Sequence, residues 1–191
     1  MSHLSIIGTG NMGQAIAAVA GRGGHTVQLL GENDVETAVS GDIVVLAVPY
    51  PAVASVLEQR GAQLEGKIVV DITNPLNFET FDELTVPSDS SAAAEIAAQL
   101  PGSKVVKAFN TTFAGTLVEG AVAGQPLDIF LAGDDEAAKD TVKQLVRDGG
   151  LRAVDAGPLA LAHHLEALGY LHRAIQGDLG TNYASSVKVL A

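Results

Sequence analysis

Leu4-Ser5-Ile6-Ile7-Gly8-Thr9-Gly10-Asn11-Met12-Gly13 is the stretch on which the architecture turns. Four strand-type residues run directly into G-x-G-x-x-G, after which Met12, Ile16 and Val19 fall on one helical stripe that Gly21, Gly23 and Gly24 end. The next strand-type run, Thr26 to Leu30, completes a βαβ unit of about 30 residues, the context that gives the glycine pattern its meaning. There each glycine has a task. Gly8 makes the tight turn, Gly10 lets backbone approach a pyrophosphate, and Gly13 lets helix and strand pack closely, while the helix N-terminus supplies N–H donors and positive dipole. Gly8, Thr9, Gly10, Asn11, Met12 and Gly13 are therefore candidate dinucleotide contacts.

Outward from this unit, apolar runs keep alternating with helix-period segments. Strands are expected at Ile43–Val48, Lys67–Ile72, Val105–Ala108, Leu127–Leu131 and Leu151–Val154, several of them apolar on both faces as buried parallel strands must be. A helix is expected from Asp134-Asp135-Glu136 to Gly149-Gly150, with Ala138, Val142, Leu145 and Val146 facing one way. Only the short segment 31–42 separates Leu30 from Ile43, which predicts a crossover with a trimmed helix. Leu161, Leu165, Leu168, His172 and Ile175 mark a further helix over about 158–176, weakened by Gly169, and the tail from Gly177 has no strong pattern. The expected fold is α/β: one Rossmann-like, doubly wound, mostly parallel sheet with helices on both faces, forming a single domain over residues 1–191.

Composition narrows the function. A chain of 191 residues with 47% apolar and 17% charged residues can bury a core holding about two thirds of its unfolded surface. The absence of Cys excludes thiolate nucleophiles, disulfides and sulfur-ligated clusters. Eleven basic against 22 acidic residues give a net charge of -11, which repels nucleic acid and anionic membrane surfaces. Met1-Ser2-His3-Leu4 carries no basic leader, and no window approaches the roughly 20 apolar residues of a membrane span. A cytoplasmic protein with a small-molecule partner is expected.

Glu32 follows Gly13 at close to the spacing at which an acid meets the adenosine ribose; a carboxylate there accepts from a 2′-hydroxyl, repels a 2′-phosphate and favours NAD(H). A solvated acid in a loop with Asp34 and Glu36 is the other reading of Glu32. Val48-Pro49-Tyr50 and, one strand later, Asp71 and Asn74 stand at strand carboxyl ends, the ligand side of an open sheet. Asn74-Pro75 also reads as a plain turn, and Ser90-Ser91 as an anion site or, more simply, a helix cap. No nucleophile or acid/base constellation appears, and His163, His164 and His172 lack the acid or Cys that would make them a metal site; no metal is expected. Hydride transfer between planar rings needs proximity, stacking and exclusion of water more than a side-chain acid.

With Ile6–Gly13, Val48–Tyr50, Val70–Pro75, Ser90–Ala92, Val106–Thr112 and Asp155–Leu159 together, the sequence resembles the coenzyme F-420-dependent NADP oxidoreductase family, related to the NADPH domains of six-transmembrane ferric reductases. The resemblance implies NAD(P)H as cofactor, leaning to NADP, and a deazaflavin, flavin or related small acceptor as co-substrate. It places the segment holding Ala108, Phe109 and Ala114 beside the nicotinamide and acceptor ring, with Asn110, Thr111 and Thr112 as candidate catalytic residues holding the carboxamide or acceptor edge. Asn110 stands where the deazaflavin enzymes commonly carry His and the ferric-reductase domains Asn. Glu32-Asn33 replaces a Ser and a basic residue that hold the 2′-phosphate, while Thr9 matches a position near that phosphate. His163 replaces an Arg, and Glu166 is retained. The openings of pyrroline-carboxylate reductases and β-hydroxyacid dehydrogenases are also similar, but those need about a hundred further residues of helical domain. The expected activity is an NAD(P)H-dependent oxidoreductase; the alternative is a non-catalytic NAD(P)-binding redox-sensing module. Residues 158–176 either form a homodimer contact or pack on the sheet.

Overall fold

A computed structural model describes residues 1–77, 79–80 and 83–190. Its strands are β1 (His3–Ile7), β2 (Thr26–Leu30), β3 (Ile43–Leu46), β4 (Ile68–Asp71), β5 (Lys104–Lys107), β6 (Ala121–Val122), β7 (Gln125–Pro126), β8 (Asp128–Gly133) and β9 (Arg152–Gly157). Its helices are α1 (Asn11–Arg22), α2 (Tyr50–Arg60), α3 (Ala92–Gln99), α4 (Ala114–Glu119), α5 (Glu136–Asp148), α6 (Ala162–Ala174) and α7 (Gln176–Leu179). Seven strands form one sheet in the order β2-β1-β3-β4-β5-β8-β9, parallel except where β8 meets β5, and β6 and β7 make a separate hairpin. This is the expected Rossmann-like α/β fold.

Strand periodicity of two explains why both faces are dry. Leu4, Ile6, Ile43, Val45, Val70 and Val106 point into a core covered by α1, α4 and α5, where Ile16, Leu117, Val142 and Leu145 meet them. Ile7, Val44, Leu46, Val69 and Val105 point the other way, against Val53 and Leu57 of α2, Ala93 and Ile96 of α3 and Ala162 of α6. Leu165 of α6 packs with Phe130 and Ala132 of β8, with Leu168 partly buried beside them, so α6 seats on the sheet. Leu171 and Ile175 remain exposed.

Two expectations change. Residues 31–42 hold turns and no helix, because so short a segment must also descend the height of the sheet. Conversely, α2 and α4 arise where no helix was expected. Pro at the second position of α2 costs nothing in a first turn, whose N–H groups are unpaired in any helix, and α4 is short, closed by Gly120 at φ 79°.

Candidate functional site

The chain passes from β1 to β2 on one side and returns to β3 on the other, so the carboxyl ends of β1 and β3 form the topological switch point where open α/β sheets bind ligands. The glycine loop sits there. Gly8 has φ +118°, and a Cβ on it would lie 2.2 Å from the carbonyl oxygen of Ala47 at the end of β3. A Cβ on Gly13 would lie 2.0 Å from Gly8 O, so α1 is pressed onto the loop. Gly10, the residue preceding α1, meets nothing within 4 Å: its bare face looks onto open space at the helix N-terminus. Two glycines are required by contact inside the protein, and the third leaves room outside it.

A cleft of about 710 Å³ opens from this loop, lined by Gly8, Thr9 and Gly10, by Glu32, Asn33 and Val35 after β2, by Val48 and Pro49 after β3, and by Ala52, Val56 and Arg60 of α2 among others. Seven of the expected contacts thus share one cavity. Glu32 and Asn33 are exposed; Asp34 is partly buried and accepts from Gly31 N at 2.7 Å, shaping the turn that presents them. Other expected contacts lie elsewhere. Met12 packs against the core and Gly13 lies beneath the loop. The Tyr50 hydroxyl donates to the Glu95 carboxylate of α3, and burial together with that carboxylate pushes the phenol above its usual range.

At the ends of β4 and β5 a second group assembles. Asn74 Nδ2 donates to Asn110 O at 2.9 Å, while Asn110 Nδ2 donates to Asn74 Oδ1 at 2.9 Å and to Leu165 O of α6 at 2.8 Å. Asn110 Oδ1 and the neighbouring Thr73 Oγ1 are buried without a hydrogen-bond partner. Ala108 and Phe109 are fully buried, and Phe109 holds φ 61°, a left-handed conformation that costs a bulky side chain about 1–3 kcal/mol. Phe109 O accepts from Thr112 Oγ1 at 2.8 Å, closing that turn. His172 of α6 bonds Thr111 O through Nδ1 at 3.0 Å and stacks on Phe113, 4.5 Å between centroids, and burial lowers its pKa. Ala114 lines a second cavity of about 440 Å³ with Phe113, Thr116, Asn182 and Tyr183.

Beside this second group lies an ion cluster that the sequence reading missed. Lys107 Nζ is 2.8 Å from Asp71 Oδ2 and 2.8 Å from Glu166 Oε1, and all three side chains are inaccessible to solvent. Glu166 also accepts from Ala92 N at 3.0 Å and Ala93 N at 3.3 Å, so the N-terminus of α3 holds this chain's own carboxylate. Ser91 caps α3 through Ala94 N, the simpler of its two readings. Burial raises the Glu166 pKa against the pull of Lys107. Lys107 within the apolar Val105–Ala108 run was the available signal, since a charge inside a buried strand demands a partner. His163 bonds Ser90 O at 2.8 Å, and among the described residues no group of three His, Cys, Asp or Glu is arranged to hold a metal. None of the described helices is long and apolar enough to cross a membrane.

Residues 27–75 match the profile of the family described as NADP oxidoreductase, coenzyme F420-dependent. The F420-dependent NADP reductase of Methanocaldococcus jannaschii is 35% identical over 149 residues, covering 76% of this chain and 66% of that protein. The chain belongs to this family. The metalloreductase STEAP3 of Rattus norvegicus is 35% identical over 133 residues, 70% of this chain and 26% of that one. The chain thus spans just under two thirds of the archaeal reductase and about a quarter of the metalloreductase. Among solved structures, a protein of Arthrobacter sp. FB24 provisionally described as an F420-dependent NADP reductase superposes with a TM-score of 0.90 at 26% identity over 100% of both chains. Oxidoreductase family, Rossmann-like fold and glycine loop therefore agree.

Proposed function

We propose that the chain is an NADPH-dependent oxidoreductase that exchanges a hydride with a small planar acceptor of the flavin or deazaflavin class. The observation that carries this reading is the cleft at the β1/β3 switch point, where Gly8 and Gly13 are fixed by internal contact and Gly10 alone faces open space. The residues present fit a dinucleotide. Gly8, Thr9 and Gly10 would hold the pyrophosphate against the N-terminus of α1, and Glu32, Asn33 and Val35 would border the adenosine. Val48 and Pro49 would lie along its path toward β4 and β5. Asn110 Oδ1, an acceptor with no partner inside the protein, suits a carboxamide N–H.

When bound, the nicotinamide supplies the hydride. The chain's own residues then orient and exclude water. The Asn74–Asn110 pair fixes one amide edge, Phe109 is buried in the core, and the cavity beside Ala114 offers the Phe113 and Tyr183 rings as an aromatic wall for the acceptor. No titratable side chain is asked to transfer a proton.

The purified protein is titrated with NADPH and NADH by nicotinamide fluorescence anisotropy, which the absence of Trp favours, and NADPH oxidation is then followed with added deazaflavin, flavin or ferric chelate. Saturable turnover with a planar acceptor supports the reading; binding without turnover in any of them removes it. The burial of Asn110, Thr111 and Thr112 favours that second outcome's reading, a non-catalytic module that senses the nicotinamide redox state.

A further inference from the structure

The wall of the cleft contributed by α2 ends in a buried cation. Arg60 is only 4% exposed yet lines the cleft with Glu32, Asn33 and Val35. Its Nη1 donates to Thr37 O at 2.8 Å and its Nη2 to Asp34 O. Those bonds engage two of the five N–H donors of a guanidinium, and both acceptors are neutral carbonyls. Among the described residues no carboxylate stands within ion-pair distance of it. Buried charges are ordinarily paired, because desolvation is costly unless an opposite charge compensates. The buried lysines, Lys107 and Lys139, each have two carboxylates. Arg60 has none, and it lies in a protein whose net charge of -11 makes a fixed positive site in a cleft a local exception.

Glu32, the acid that argues against a 2′-phosphate, differs in kind. It is exposed and makes no bond that fixes its carboxylate, so it can turn into water when an anion enters. Arg60 cannot turn away, since two carbonyls of the 31–39 segment hold it. We propose that Arg60 is the anion-binding residue of this cleft and selects nucleotides that carry a phosphate on the adenosine 2′ position. The inference rests on the dinucleotide reading above and names the cation of the cleft wall that would meet the phosphate. Arginine suits the role because its planar donors match phosphate oxygens while its loop contacts keep it in place.

Calorimetric titration with adenosine 2′,5′-bisphosphate and with 5′-AMP tests it without any turnover. The wild type is expected to bind the bisphosphate at least tenfold more tightly, a gap that narrows as salt rises. Arg60→Gln should bring the two affinities within twofold of each other while 5′-AMP binding changes less than twofold; Arg60→Lys should retain part of the gap and guards against a misfolded Gln variant. A wild type indifferent to the 2′-phosphate, or a gap that survives in Arg60→Gln, overturns the proposal. So does equal loss of both ligands in both variants, which would make Arg60 a loop clamp only. Wild-type protein that binds neither ligand defeats the dinucleotide reading as well, whereas binding of both with no gap defeats this proposal alone.

Discussion

Gly169 of α6 stands so close to Asn110 that a Cβ on it would come within 2.9 Å of the Asn110 carbonyl oxygen, and within 2.8 Å of Asn74 Oδ1. The residue that weakens the helix locally is what lets α6 close over the asparagine pair.

Gly169→Ala therefore sets two effects against each other. Helix propensity favours Ala by about 1 kcal/mol, while overpacking against fixed polar atoms costs about 1–3 kcal/mol. The clash should win, giving a lower denaturation midpoint and weaker hydride transfer. A higher midpoint with full activity would show that α6 can back away without loss.

Gly10→Ala and Gly13→Ala should separate ligand from fold. At Gly13 the added carbon meets Gly8 O at 2.0 Å, so the variant should lose stability before any nucleotide is added. At Gly10 it meets nothing, so the protein should keep its melting temperature and lose nucleotide affinity, by about tenfold for each ~1.4 kcal/mol of obstruction. Normal NADPH affinity in Gly10→Ala would place the pyrophosphate elsewhere.

Lys107→Met leaves Asp71 and Glu166 buried without their cation and should cost about 3–5 kcal/mol. Adding Glu166→Gln removes one stranded charge and should recover part of that loss. Chemical denaturation of the two variants measures it, and a Lys107→Met protein as stable as the wild type would show that the cluster does not depend on its ammonium.

Acid should loosen α6 through His172. Burial lowers its folded pKa below the ordinary 6.5, so the unfolded chain binds the proton first. Its contribution is complete above about pH 6.5 and is lost as pH falls from there through the lowered folded value. Denaturation midpoints between pH 7.5 and 5 should fall more steeply for the wild type than for His172→Gln. Parallel curves would remove His172 from the pH dependence.

All seven strands of the large sheet were legible because strands buried on two faces are continuous apolar runs, as in Ile43–Leu46. The glycine loop was legible because its three glycines and their flanking elements report one geometry. What escaped was non-local. Lys107 finds Asp71 on the preceding strand and Glu166 on α6, beyond two further strands of the same sheet, and no spacing rule connects the three. Arg60 escaped because only the fold brings the last turn of α2 against the 31–39 segment. The trimmed helix between β2 and β3 was a length argument, and the backbone used those residues for descent instead.

The Lys107 cluster also sets an order on synthesis. A ribosome delivers Lys107 well ahead of Glu166, so in a nascent chain holding β1 to β5 and α3 the ammonium has Asp71 as its one carboxylate, with the Thr73 carbonyl, and the N–H groups of Ala92 and Ala93 have none. Until α6 emerges, water is the partner left to those groups. That helix is thus the stopper of the sheet, and the growing polypeptide remains wet at its centre until the stopper has been made.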